Sequence, residues 1–132
     1  MIPELGLDLV LPKAIAEDLT YQLREERGDT IAMLNSKKLL AAAPETCNNQ
    51  LGLGPIGNID KQVRIDDPTG GERAPVAGQD HKVGDYYLSL TKPITNCASD
   101  EGLKKFQSDT VHAFAEAWSK LDTSGLPQKF RQ

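Results

Sequence analysis

The stretch from Lys82 to Leu121 constrains the fold more than any other, because two hydrophobic periods follow one another within it. Across residues 86–91, apolar and polar side chains alternate with a period of two, which predicts a half-buried strand that ends before Pro93. Apolar residues then recur at helical spacing and predict one long amphipathic helix. Its stripe consists of Leu103, Phe106, Thr110, Phe114, Ala117 and Leu121, widened by Val111 and Trp118.

Local signals mark both ends of this helix. Ser99 is the predicted N-cap, and Asp100 and Glu101 place negative charge in the first turn, where the helix dipole favours it. Gly125 and Pro127 follow the stripe as stop signals. The helix contains the one tryptophan and two of the three phenylalanines, so we expect the main hydrophobic core to form on it.

Length and composition narrow the class of protein. The 132 residues fit one domain, and a hydrophobic content of 39% with 5% aromatics suits either an ordinary small α+β domain or a subunit that completes its core with a partner. The net charge of −4 argues against a strongly electrostatic nucleic-acid binder, although charge can be segregated onto one face. The sequence shows no signal peptide and no apolar run of the ~20 residues that a membrane span needs, so we expect a soluble cytosolic product.

The first third of the chain supports two interpretations. Residues 1–12 form a short arm or a first strand, and Lys13–Met33 can be read as a helix or as part of a hairpin. In the hairpin interpretation, Asp18–Arg24 pairs with Thr30–Asn35 around a turn at residues 27–29. The apolar run Lys37–Ala43, closed by Pro44, is short enough to be a strand.

The middle of the chain alternates between loops and strands. Glu45–Asn58 has the composition of a loop, Ile59–Asp66 alternates as a strand, and Asp67–Lys82 is a second long loop. Because this loop joins two predicted strands, antiparallel pairing of those strands is expected. Strands come first and a helix last, which predicts an α+β fold with a mostly antiparallel sheet.

Three glycines, Gly52, Gly54 and Gly57, match the dinucleotide-binding pattern GxGxxG. That site needs the glycines between a strand and a helix. Here Pro55 interrupts them and a strand-like segment follows, so the glycines are better explained as parts of a flexible loop.

Histidine, cysteine and carboxylate residues offer no catalytic pattern. His81, His112, Cys47 and Cys97 lack the spacing of metal ligands or of a Cys–His pair, and no two aspartates are placed for acid–base catalysis. Two free or partly buried thiols are favoured for the cysteines, with a disulfide as the alternative. We therefore expect no enzyme, no metal and no cofactor.

If the two predicted strands pair, polar side chains gather on one sheet face. Arginine reaches phosphates, tyrosine stacks on unpaired bases, and amides and hydroxyls bond base edges, so this face has the chemistry of an RNA reader. The simpler interpretation is an ordinary solvent-facing sheet surface. The residues of the candidate RNA-binding face are Gln62, Arg64, Tyr87, Ser89 and Thr91.

The order of these segments resembles a known family. Val63–Pro68, a glycine-rich loop, Lys82–Pro93 and then Ala98–Glu101 opening a terminal helix are similar to the C-terminal half of the coat proteins of single-stranded RNA bacteriophages, the levivirus type. The resemblance covers roughly residues 61–126 and consists of order, spacing and a few residue types.

The resemblance implies an antiparallel sheet with an N-terminal hairpin and C-terminal helices, which favours the hairpin for Asp18–Asn35. It also implies an intertwined homodimer, in which sheets join edge to edge and each helix packs over the partner's sheet through Leu103, Phe106, Phe114, Trp118 and Leu121. Dimers would assemble in the bacterial cytoplasm into the icosahedral shell of a virion around single-stranded RNA.

The family's RNA-facing positions fall on Gln62, Arg64, Asp85, Tyr87 and Ser89, with Thr91 further along. Asp85 departs from the role, since a carboxylate repels phosphate, and the acidic net charge is a second departure. The rival hypothesis is a small soluble α+β interaction module that binds a partner protein through the helix face around Phe114 and Trp118.

Overall fold

A computed structural model describes residues 2, 7, 9–49, 52–62 and 74–129, and it confirms the predicted α+β class. Its five strands form one sheet in the order β1-β2-β3-β5-β4, and each pairing is antiparallel. The elements are α1 Lys13–Asp18, β1 Leu19–Glu26, β2 Asp29–Ser36, α2 Lys37–Ala42, β3 Gly57–Gln62, β4 Asp80–Val83, β5 Tyr86–Thr91 and α3 Glu101–Ser119.

The predicted N-terminal hairpin is confirmed. β1 and β2 pair along their whole length, from Leu19 opposite Ser36 to Glu26 opposite Asp29. The two-residue turn between them has φ of 55° at Arg27 and 84° at Gly28, and positive φ at both positions is what a type I′ hairpin turn requires. The helix interpretation of this region holds only for α1, which precedes the hairpin.

The predicted strand at Lys37–Ala43 is wrong, because this segment is helix α2. Two oxygens satisfy its first backbone N–H groups: Ser36 Oγ accepts from Leu39 N at 3.2 Å, and Asp18 Oδ1 accepts from Lys38 N at 2.9 Å. Ser36 therefore ends β2 and caps the helix that follows. The apolar run is short, and its pattern alone did not separate strand from helix.

The second half of the sheet contains a strand that the sequence did not predict. β4 begins within the predicted loop Asp67–Lys82 and ends one residue beyond it. It pairs with the outer side of β5, which makes β5 an interior strand. The expected antiparallel pairing of the strands on either side of that loop is confirmed by β3 and β5. Residues 63–66 of the predicted strand Ile59–Asp66 lie outside the described residues.

Helix α3 begins one residue later than predicted. Asp100, not Ser99, is the N-cap, and its Oδ2 accepts from Leu103 N at 3.0 Å. The helix ends at Ser119, ahead of the predicted stop signals at Gly125 and Pro127.

One face of the sheet packs against α3. Phe114 and Trp118 are completely buried in a cluster with Tyr86, Leu88 and Leu90, whereas Leu103, Phe106 and Leu121 are partly buried around its margin. Trp118 Nε1 donates to Gln79 O at 3.0 Å, and the His81 ring meets the indole edge-on with centroids 5.1 Å apart. His81 Nε2 donates to Trp118 O at 2.7 Å, which joins the end of α3 to β4.

The favoured expectation of free thiols is wrong, because Cys47 and Cys97 form a disulfide. It joins the connection before β3 to the connection before α3. For a sequence separation of 50 between the cysteines, the chain-entropy model gives a stabilisation of about 4 kcal/mol.

We expect Trp118→Ala to lower the free energy of unfolding by ~3–5 kcal/mol, because it leaves a large cavity and removes one of the two hydrogen bonds to the carbonyl of Gln79. Urea unfolding followed by circular dichroism measures the change. Ser108→Ala, at an exposed position of the same helix, is the matched control and should leave the midpoint unchanged. A wild-type midpoint for Trp118→Ala would show that this side chain does not anchor the core.

Candidate nucleic-acid interface

The candidate interface lies on the sheet face opposite α3, called here the polar face. In the β3–β5 ladder Gln62 pairs with Tyr87, and directly paired residues point to the same face. Ser89 and Thr91 follow Tyr87 at intervals of two, so they share its face. Four of the five predicted RNA-binding residues thus lie together, and the fifth, Arg64, lies outside the described residues.

These four residues differ in how much surface they present. Tyr87 is 0% and Ser89 2% exposed, and Ser89 Oγ donates a hydrogen bond to Asp80 Oδ1. Gln62 is half-buried, and Thr91 is exposed. The expected accessible tyrosine is therefore buried in the folded chain, whereas Gln62 and Thr91 keep accessible surface. The RNA-binding role of all five residues stays a prediction.

One row of side chains crosses the whole sheet on the polar face, because the pairing registers align one residue from each strand. It brings acidic residues to both sides of Ser89. The row consists of Arg24, Ile31, Asp60, Ser89 and Asp80.

Carboxylates outnumber bases on the described part of the polar face. The alternation along each strand places six charged residues there, and the two bases are Arg24 and Lys82. The four carboxylates are those of Glu26, Asp29, Asp60 and Asp80. Two of the six, Asp80 and Lys82, lie on β4 and were missed because the sequence interpretation assigned that strand to a loop. A surplus of negative charge opposes phosphate binding.

Asp60 is a carboxyl group of the polar face whose pKa is shifted by folding. Burial raises its pKa, nearby Asp29 and Glu26 raise it further, and a hydrogen bond from Gln62 and the charge of Arg24 act in the opposite direction. Its Oδ1 is buried and has no hydrogen-bond partner among the described residues. Ionised Asp60 therefore costs the folded chain free energy.

Side-chain amides fasten the β2–β3 connection to the sheet. Asn58 Oδ1 accepts from Gly54 N and Asn58 Nδ2 donates to Gly52 O, each at 2.9 Å. Asn35 Nδ2 donates to Asn49 Oδ1 at 2.9 Å, and Asn49 Nδ2 donates to Gln22 Oε1 at 3.0 Å. These amides form hydrogen bonds within the chain, and they extend the polar face along the connection.

The glycines of the GxGxxG pattern serve this attachment. A Cβ at Gly54 would lie 2.2 Å from the backbone oxygen of Leu34, and Gly52 has φ of +75°. The pattern leads into strand β3 and not into a helix. The glycines thus allow close approach of two backbones, which differs from both the nucleotide site and the flexible loop considered from sequence.

The structure places the histidines and cysteines considered from sequence in different surroundings. Both cysteines are in the disulfide, His112 is exposed on α3, and His81 is bonded to Trp118. Among residues 9–49, 52–62 and 74–129, no cluster of three or more His, Cys, Asp or Glu side chains could hold a metal ion. None of the helices described is long and apolar enough to cross a bilayer.

Comparison with known proteins gives no family: no protein-family model matches the chain, and no curated protein or solved structure is significantly similar to it.

We expect Asp60→Asn to stabilise the chain at neutral pH. Folding raises the pKa of Asp60, so the folded state binds that proton more tightly, and the cost of the ionised group disappears as the pH falls from the raised pKa to the ordinary pKa. The stabilisation by Asp60→Asn should therefore shrink as the pH is lowered, which urea unfolding across a pH series measures.

Asp122 provides the control of opposite sign. The backbone N–H of Ser124 bonds its carboxylate at 2.9 Å and lowers its pKa, so Asp122→Asn should cost stability at neutral pH and none in acid. An effect of Asp60→Asn that is independent of pH would contradict the burial of an ionisable group at this position.

Proposed function

We propose that this chain is a self-assembling structural protein, a viral coat subunit of the kind that single-stranded RNA bacteriophages use. It forms homodimers, and the dimers build an icosahedral shell around single-stranded RNA. The virion, assembled in the bacterial cytoplasm, is its proposed location.

The observation that supports this proposal most is the register of β3 against β5. It gathers Gln62, Tyr87, Ser89 and Thr91 on one face while α3 packs on the other. A sheet with a helix on one side and a polar side opposite is what the resemblance to the coat proteins requires. The confirmed hairpin and the C-terminal position of α3 fit the same arrangement.

A dimer joined at the sheet edges is compatible with the packing of α3. In the single chain, α3 buries Phe114 and Trp118 on its own sheet. An intertwined dimer would exchange this contact for the equivalent contact with a partner's sheet, as in domain swapping, without changing the residues that meet. Trp118 is thus proposed to anchor α3 in either form.

The charge of the polar face limits how this chain could bind RNA. The surplus of carboxylates on the described polar face opposes phosphates, so the attraction must come from its bases, Arg24 and Lys82, together with Arg64. Gln62 and Thr91 would contribute hydrogen bonds to RNA rather than charge. We propose that contacts between protein subunits carry most of the free energy of shell formation.

The interaction-module hypothesis has less support. It relied on the helix face around Phe114 and Trp118 as a docking surface, and both side chains are 0% exposed in the folded chain. That surface is occupied by the chain's own sheet.

Assembly is tested by expressing the full chain and examining it by size-exclusion chromatography and electron microscopy over a range of salt concentrations. We expect closed particles whose absorbance shows co-purified nucleic acid. Small species under all conditions, with or without added RNA, would exclude a coat function.

RNA binding by the polar face is tested separately with charge-removing variants. Arg64→Gln and Lys82→Gln should each weaken RNA binding and reduce the slope of log affinity against log salt by about 1, as for one lost phosphate contact. Lys105→Gln, on the exposed side of α3, is the matched control. Tyr87→Ala is a poorer probe, because the side chain is buried. Equal effects of all three glutamine variants would show that the polar face does not contact RNA.

A further inference from the structure

We propose that the Cys47–Cys97 disulfide is a reversible redox latch, which closes on an already folded chain by thiol–disulfide exchange. Cys97 is the sulfur that reacts with the external reagent, and Cys47 is the buried sulfur that closes the bond. The proposal does not depend on the coat function.

Contacts that do not involve sulfur hold each cysteine in place. Cys47 N donates to Ala43 O at 2.9 Å, and Cys47 O accepts from Asn35 Nδ2 at 2.7 Å. These bonds fix the first cysteine to the end of α2 and to strand β2, and they remain when the disulfide is reduced.

Cys97 is held by a buried side chain of α3. Gln107 is 1% exposed; its Oε1 accepts from Cys97 N at 3.0 Å and its Nε2 donates to Pro55 O at 2.8 Å. Gln107 therefore ties both connections to α3 independently of the disulfide. The reduced thiols would remain opposite each other, at a Cα–Cα separation close to the 5.1 Å of the closed latch.

The two sulfurs differ in access. Cys47 is completely buried in the core cluster, whereas Cys97 is half-buried and lines two surface crevices of about 610 and 400 Å³. Since exchange requires the attacking or attacked sulfur to meet the reagent, the external partner can reach only Cys97 without unfolding.

The closing reaction is a two-step exchange with a small-molecule disulfide such as oxidised glutathione. The Cys97 thiolate attacks one sulfur of the reagent, the reagent's S–S bond breaks, and one thiolate leaves. The Cys47 thiolate then attacks Cys97 Sγ in the mixed disulfide and expels the second thiolate. The two cysteines are oxidised, the reagent is reduced to two thiols, and these take up the two protons that the cysteines lose. An external thiolate reverses the sequence by attacking Cys97.

The asymmetry is tested with the reduced full-length variants Cys47→Ser and Cys97→Ser, incubated with oxidised glutathione in native buffer and followed by intact mass. We expect Cys47→Ser to form the glutathione adduct at Cys97 and Cys97→Ser to remain unmodified until urea is added. Near-ultraviolet circular dichroism, which reports the packing of Trp118, checks that both variants are folded. Equal modification of both variants in native buffer, or modification of Cys97→Ser alone, would overturn the assignment.

Closure on a folded chain is tested with the reduced wild-type protein. We expect it to keep its near-ultraviolet spectrum and to regain the disulfide faster in buffer than in urea. Gln107→Leu should slow closure at least several-fold, whereas Ser108→Ala, its exposed neighbour, should not. A reduced wild-type chain that is unfolded, or a closure rate unaffected by urea, would overturn the latch.

Discussion

The contact between Trp118 and the start of β4 is the interaction on which the rest of the structure depends. The indole is fully buried, donates to the carbonyl of Gln79 and meets the ring of His81, which in turn bonds the carbonyl of Trp118. Through this contact the last turn of α3 is joined to β4. Pairing of β4 with β5 makes β5 an interior strand, so its apolar side chains have neighbours on both sides. Removing the indole would therefore loosen a strand as well as a helix.

The long periodic elements were predictable from sequence, because a buried face imposes its period on the residues that form it. The alternation of β5 and the stripe of α3 are signals of this kind. The hairpin was marked by a local signal as well, the turn residues Arg27 and Gly28. The short elements were not predictable. The four residues of β4 are too few to show a period, and one of the two oxygens that cap α2 belongs to distant Asp18.

The structure of the connection between β2 and β3 was also not predictable from sequence. From composition, Glu45–Asn58 reads as a flexible loop, yet Asn58 and Gly54 fix it against the sheet and Cys47 joins it to the connection before α3. Asparagine and glycine are common in loops because they suit irregular backbone, and the same properties let them bond and approach a sheet closely. Sequence composition does not distinguish these uses, because the partner residues are distant in the chain.

The charge of the polar face affects RNA binding and shell formation, the two parts of the proposed function, differently. In a dimer joined at the sheet edges, symmetry repeats every charge, so a subunit with four carboxylates and two bases on its described polar face becomes a surface with twice that imbalance. Burial raises the pKa of Asp60, and this lessens the imbalance only as the pH falls. In the proposed function, recognition of RNA on this face would then rely on hydrogen bonds and on the few bases present. In the proposed shell, subunit contacts would depend on apolar burial and strand pairing and would need no such compensation, so the two proposed functions can be lost independently.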